Sequence, residues 1–85
     1  MKRLYKGYTI EKMFNTSSLE LIFCAYNRNG KLVNCTSPRL RTVKCMLDYK
    51  IDNNKIQETG LEFMLETLEE KKQRELNNIA KRYNK

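Results

Sequence analysis

The stretch Leu19–Tyr26 reads LELIFCAY, eight residues long and the longest apolar run in the chain. Its Ile, Phe and Tyr suit a strand better than a helix. In a strand, Leu19, Leu21, Phe23 and Ala25 point to one side, and Ile22, Cys24 and Tyr26 to the other. A strand in a half-wet sheet alternates apolar with polar residues. This one is apolar on both sides, which predicts a central strand with something packed on each face. An 85-residue chain holds one modest core and little else. What covers the second face is therefore the question on which function turns.

The flanking segments supply partners for that strand. Tyr8–Phe14 places Tyr8 and Ile10 on one side and Thr9, Glu11 and Met13 on the other, a first strand. Asn15-Thr16-Ser17-Ser18 is turn chemistry. Asn27-Arg28-Asn29-Gly30 is the clearest hairpin signal, because Asn-Gly accepts the positive φ angles of a type I′ turn. Lys31–Thr36 then runs back as a third strand. A two-residue loop sets Cys24 opposite Cys35 and a longer one sets Val33 there, and the sequence leaves both open.

Two helices follow. Ser37-Pro38 reads as a helix start, with serine capping free N–H groups and proline at the first helical position. Leu40, Val43 and Leu47, widened by Met46 and Ile51, form its buried stripe, and Asp52-Asn53-Asn54 ends it. Phe23, Leu21, Ile10, Leu40, Val43 and Leu47 are expected in one core cluster. Thr59-Gly60-Leu61-Glu62 has capping-box spacing, so a last helix begins there or a turn earlier at Asn54. Its stripe is Leu61, Leu65, Leu68, Leu76, Ile79 and Tyr83. The pattern repeats at eleven residues, Leu65 to Leu76 and Leu68 to Ile79, close to the period of a straight helix. The stripe is longer than one small sheet can cover. Its outer part, Leu68, Leu76, Ile79 and Tyr83, is read either as a docking surface within the chain or as a homodimer interface. The expected fold class is α+β: a three-stranded antiparallel β-meander with one packing helix, followed by a long C-terminal helix. Residues 1–85 form a single domain, with a βββα core over 1–52 and the helix over 53–85.

Charge and composition narrow the function. Seventeen basic residues against ten acidic ones give a formal net charge of +7, which suits a polyanion or an acidic protein surface as partner. There is no histidine, so a base working near neutral pH would have to be a strongly shifted carboxylate or lysine. The three cysteines, Cys24, Cys35 and Cys45, form no CxxC pair. No metal site, no cofactor site and no catalytic residue is expected, and the chain is read as non-enzymatic. The odd cysteine count points to a reducing compartment, the cytoplasm. Met1–Lys6 resembles the start of an export signal, but no apolar segment follows it, and no run is long enough to span a bilayer.

Three motifs resemble a known group. Lys6-Gly7-Tyr8-Thr9-Ile10, then Ala25-Tyr26-Asn27-Arg28-Asn29-Gly30-Lys31, then Ser37-Pro38-Arg39-Leu40-Arg41-Thr42-Val43-Lys44 are similar to very small phage and mobile-element βββα proteins. The resemblance covers about residues 5–52. It implies a sheet-plus-helix unit like the three-stranded DNA-binding domains of integrases and plant AP2-type factors. It also implies host-takeover or anti-defence roles, including inhibition of CRISPR nucleases. The expected partner is then a larger nucleic-acid-handling protein, or the nucleic acid bound to it, with no membrane involved. The alternative is direct binding of DNA or RNA. In either case the contacting groups are read as Lys2, Arg3, Lys6, Arg39, Arg41 and Lys44, with Arg39 and Arg41 foremost, because arginine holds phosphate bidentately.

Overall fold

The central strand starts one residue later than expected and sends its side chains into two separate cores. The computed structural model describes residues 2–83, with side chains described as far as Ala80. Strands β1 (Lys2–Tyr5), β2 (Tyr8–Asn15), β3 (Glu20–Tyr26) and β4 (Leu32–Ser37) lie side by side in chain order, all antiparallel. Helix α1 (Leu40–Asp52) crosses one face. A 3-10 turn (Leu61–Met64), the two-residue strand β5 (Leu65–Glu66) and helix α2 (Leu68–Tyr83) complete the chain. The architecture is α+β with an antiparallel meander, as expected, but the meander has four strands and β5 adds to the edge of β2.

The extra strand is the basic arm. Tyr5 pairs with Tyr8 across the two-residue turn Lys6-Gly7, whose φ angles are 48° and 85°. Positive φ at both positions is the twist a tight hairpin needs, and glycine meets it without a Cβ penalty. The Asn27–Lys31 turn was expected to have this form and does not. Only Gly30 takes positive φ there, at 75°. Asn27 Oδ1 accepts the N–H groups of Asn29 and Lys31, each at 3.0 Å, and a bulge follows between Cys24 and Tyr26. Cys24 therefore lies opposite Thr36, not opposite Cys35 or Val33. Leu19 sits in the β2–β3 turn at φ 59°, exposed, because Asn15 Oδ1 folds the turn by accepting the N–H groups of Ser17 and Ser18.

The first core lies under α1. Ile10, Ala25, Val33 and Cys35 of the sheet pack on Val43 and Leu47, with Tyr5, Tyr8, Phe23 and Leu40 around them. The expected cluster is present in outline. Leu21, however, is exposed and Phe23 only half-buried, with Phe23 lying beside Leu40 at the very start of α1. Helix α1 starts two residues after Pro38, with Arg39 at its N-cap. β4 stays paired through Ser37, opposite Phe23, and the residue before a proline is held extended. Ser37 Oγ accepts the Arg39 N–H and caps no helical group. The end of α1 is as expected: Asn54 takes the left-handed φ of 53°, and its N–H donates to the Ile51 carbonyl.

The second core holds Met13, Ile22, Cys24 and Leu32, with Tyr26 and Leu65 beside them. What covers this face, the last helix or a partner protein, was left open by the sequence, and the structure gives neither. Instead residues 55–66 cross this face as a strap. The strap begins along β4, where Thr59 N–H donates to the Leu32 carbonyl at 2.8 Å and Asn34 N–H to the Gln57 carbonyl at 2.9 Å. It ends on the far side of the sheet, where β5 pairs with Phe14 and Asn15 of β2. Glu62 does not close a box on Thr59; its Oε1 accepts the Leu32 N–H at 2.7 Å. The box that forms is Thr67-Leu68-Glu69-Glu70, in which Thr67 Oγ1 accepts the Glu70 N–H and Glu70 Oε1 the Thr67 N–H. The last helix is shortened accordingly to Leu68–Tyr83.

Candidate functional site

The six cations expected to act together fall into three settings. Lys2 and Arg3 are neighbours in β1 and so point to opposite faces of the sheet. Lys2 pairs with Glu11 and lines an open groove with Leu4, Thr9, Tyr26 and Arg28 on the face away from α1. Arg3 pairs with Ile10 on the α1 side. Lys6 is engaged within the fold: its ammonium lies 2.6 Å from Asp48 of α1. The Tyr5 hydroxyl donates to the same carboxylate at 2.8 Å. Lys6 first, and Tyr5 after it, hold the Asp48 carboxyl below its ordinary pKa, and Asp48 raises Lys6 and Tyr5 in return. Lys6, with half its side-chain surface covered, therefore pins the β1–β2 hairpin to α1. Lys44 is half-buried, with its ammonium 5.5 Å from the centre of the Tyr5 ring.

The sequence reading missed a lysine that belongs with this group. Lys12 lies directly across from Phe23 in the β2–β3 pair, and its ammonium is 5.7 Å from the ring centre. The available signal was its parity: Lys12 shares the inward face of Tyr8 and Ile10, where a cation needs a reason. Arg3 and Lys12 form the walls of a cleft of about 200 Å³ whose floor is Ile10, Phe23 and Leu40. Leu40 is the first residue of α1, so Arg39 and Arg41, both exposed, flank the cleft in the chain. The first turn of α1 has no acidic residue and no side-chain cap, which leaves its N–H groups adding positive potential there. Of these cations, Arg3 and Lys12 share the cleft, at the seam of the sheet and α1, Arg39 and Arg41 adjoin its Leu40 in the chain alone, and Lys44 lies over Tyr5. Lys2 faces away and Lys6 is spent on Asp48.

The two buried thiols have settings unlike those of nucleophiles. Cys24 is buried in the second core, and burial pushes its thiol up to about 12. Cys35, buried in the first core, is also raised by burial. They lie on opposite faces of the sheet and are unbridged.

The residues expected to form a helix interface are placed in part. Leu68, Leu76 and Ile79 are each between two-fifths and about half exposed, and the Tyr83 side chain lies outside the described residues. Helix α2 meets the sheet through a different face, where Lys71 and Arg74 cover the Phe14 ring at 5.0 and 5.9 Å. Arg74 also pairs with Glu66 at 3.1 Å. No helix among the described residues is long and apolar enough to cross a membrane. No protein-family model matches the chain, and no curated protein or solved structure is significantly similar to it.

Proposed function

We propose that the chain is a non-catalytic binding module that docks on a larger nucleic-acid-handling complex and modulates it. The observation that carries the reading is the seam cleft: an apolar floor with guanidinium and ammonium groups on its walls and no carboxylate among its lining residues. Cations around an apolar floor suit an acidic protein segment or a phosphodiester lying beside apolar groups. The net charge of +7 steers association with a polyanionic partner. The resemblance of residues 5–52 to small mobile-element proteins supports an inhibitory, anti-defence role in a host cytosol, by analogy alone.

The test uses two double variants that remove the same charge: Arg3→Ala/Lys12→Ala in the cleft, and Lys31→Ala/Lys55→Ala outside it. Binding to non-specific duplex and single-stranded DNA and RNA is measured at two salt concentrations. Co-purification of partners is compared with and without nuclease. The expected result is nuclease-resistant capture of one complex, lost in the cleft variant and kept in the control, with weak binding to free nucleic acid. Equal loss in both variants would show that net charge, and no particular site, does the work. Tight binding to free nucleic acid that falls by about 0.9 log unit per log unit of salt for each phosphate neutralised would replace this reading with direct nucleic-acid binding.

A further inference from the structure

Among the described residues the fold leaves one sheet edge open. The outer side of β4 is taken by the strap, through the Thr59 and Asn34 N–H bonds. The far half of β2 is taken by β5. Strand β1 stands at the other end of the sheet and pairs with β2 alone. Its hydrogen-bond phase follows from its turn. Tyr5 and Tyr8 flank a two-residue loop, so they exchange both backbone bonds, and the pairs alternate from there. Arg3 is turned to Ile10 in the same way, which points the N–H and C=O groups of Lys2 and Leu4 outward. Such a row is a template for an added strand.

The side chains along this edge select what is added. Leu4 is 79% exposed and shares the groove face with Lys2. Arg3 faces the α1 side, where it walls the seam cleft with Lys12. No acidic residue lies between Lys2 and Gly7. A second copy does not fit. Two in-phase antiparallel registers overlap three residues of β1 with its own copy; one opposes Arg3 to Arg3, the other Lys2 to Lys6. Like charges directly opposite each other destabilise a strand pair. The same charges favour a strand of opposite sign. We propose that the outer edge of β1 adds an extended acidic segment of a partner protein as an antiparallel strand. An apolar side chain then faces Leu4, and carboxylates face Arg3 and Lys2. Arg3 falls in the closer, non-hydrogen-bonded kind of pair, where its guanidinium meets the opposing carboxylate. Arg3 belongs to both the edge and the cleft, so the proposal deepens the docking reading and rests on it for the identity of the complex.

The test titrates the isotope-labelled whole chain with an acetylated peptide of about ten residues, Val-Glu-Glu at its centre and Thr-Val on either side, up to about 1 mM, where weak complexes form. Amide signals of β1 should shift. The Leu4 amide, quick to exchange in the free chain because it points outward, should become protected in the complex. Leu4→Pro removes that outward donor and no bond to β2, so it should keep the fold in a thermal melt and weaken binding about tenfold. N-methylation of the peptide residue facing Leu4 should do the same from the other side. Arg3→Glu should weaken the acidic peptide and prefer a Val-Lys-Glu counterpart. No binding up to about 1 mM, or binding indifferent to both Leu4→Pro and N-methylation, would overturn the proposal. Binding of that second kind, with shifts confined to Arg3, Lys12, Phe23 and Leu40, would remove the added strand and keep the cleft. Protection of Leu4 by the peptide, with capture of the complex unchanged in Arg3→Ala/Lys12→Ala, would support the edge and remove the cleft.

Discussion

Leu47→Ala is the perturbation that probes the first core most directly. Leu47 is fully buried and touches the one cluster that joins β2, β3, β4 and α1. Losing its three terminal carbons forfeits about 2.5 kcal/mol of transfer free energy at ~0.8 kcal/mol per methylene. The unrelaxed cavity brings the loss to about 3–4 kcal/mol. An 85-residue chain has a melting entropy of about 0.18 kcal/mol/K, so the shift in melting temperature is roughly 17–22 °C. That is a large share of the stability such a domain has. Phe23→Ala removes a larger side chain but from a half-buried position with Lys12 over its ring, and should cost only about 1.5–2.5 kcal/mol. Thermal and urea melts of the two variants side by side give the ranking. If Leu47→Ala melted within about 3 °C of the parent, or less far below it than Phe23→Ala, the packing of α1 on the sheet described above would be wrong.

Two further outcomes follow from the same contacts. Asp48, whose folded pKa lies below its ordinary value of 3.8 because of Lys6 and Tyr5, lends stability that is present above pH 4 and lost as pH falls through its folded pKa. Acid melts should therefore flatten between pH 4 and pH 2 in Asp48→Asn relative to the parent, and an unchanged slope would remove the pin between the hairpin and α1. Native protein treated with a thiol reagent should modify Cys45, which is exposed, at once, and Cys24 and Cys35, both buried, only at the rate of unfolding. Rapid reaction of all three would contradict the two cores.

The sheet and α1 were legible because their apolar residues keep strict periods. Ile10 alternates with its neighbours, and Val43 and Leu47 recur at helical spacing, so each predicts its own face. The apolar run on both sides of β3 correctly demanded two cores. β1 was illegible because only Tyr5 of its side chains packs inward and Leu4 is exposed. It is held by its turn and by the Tyr5–Asp48 bond, neither of which leaves a periodic trace. The strap was misread as helix because Leu61 and Leu65 happen to continue the α2 stripe. What decides against a helix there is tertiary: the Glu62 carboxylate finds the Leu32 N–H instead of its own helix start. Two Thr-x-x-Glu boxes stand in the sequence, and spacing cannot say which carboxylate is free to close its own. The seam cleft was half legible: Arg3 stood among the expected contact cations, and Ile10, Phe23 and Leu40 among the expected core. The separation of Arg3 from Lys2 and Lys6, and the inclusion of Lys12, depended on a strand that the pattern hid.

The strap has a kinetic consequence. The hairpins of the meander close over short loops, but the pairings of Phe14 with Glu66 and Val33 with Glu58 close a much longer one and must await both the sheet and α1. The second core therefore forms last and, by the same reasoning, opens first, while the core under α1 stays shut. In that opened state the Phe14–Asn15 edge of β2 lies bare beside Met13 and Ile22. A strap from another molecule fits the bared edge as well as the original does, so the segment that completes the monomer is also the element most suited to exchange between chains.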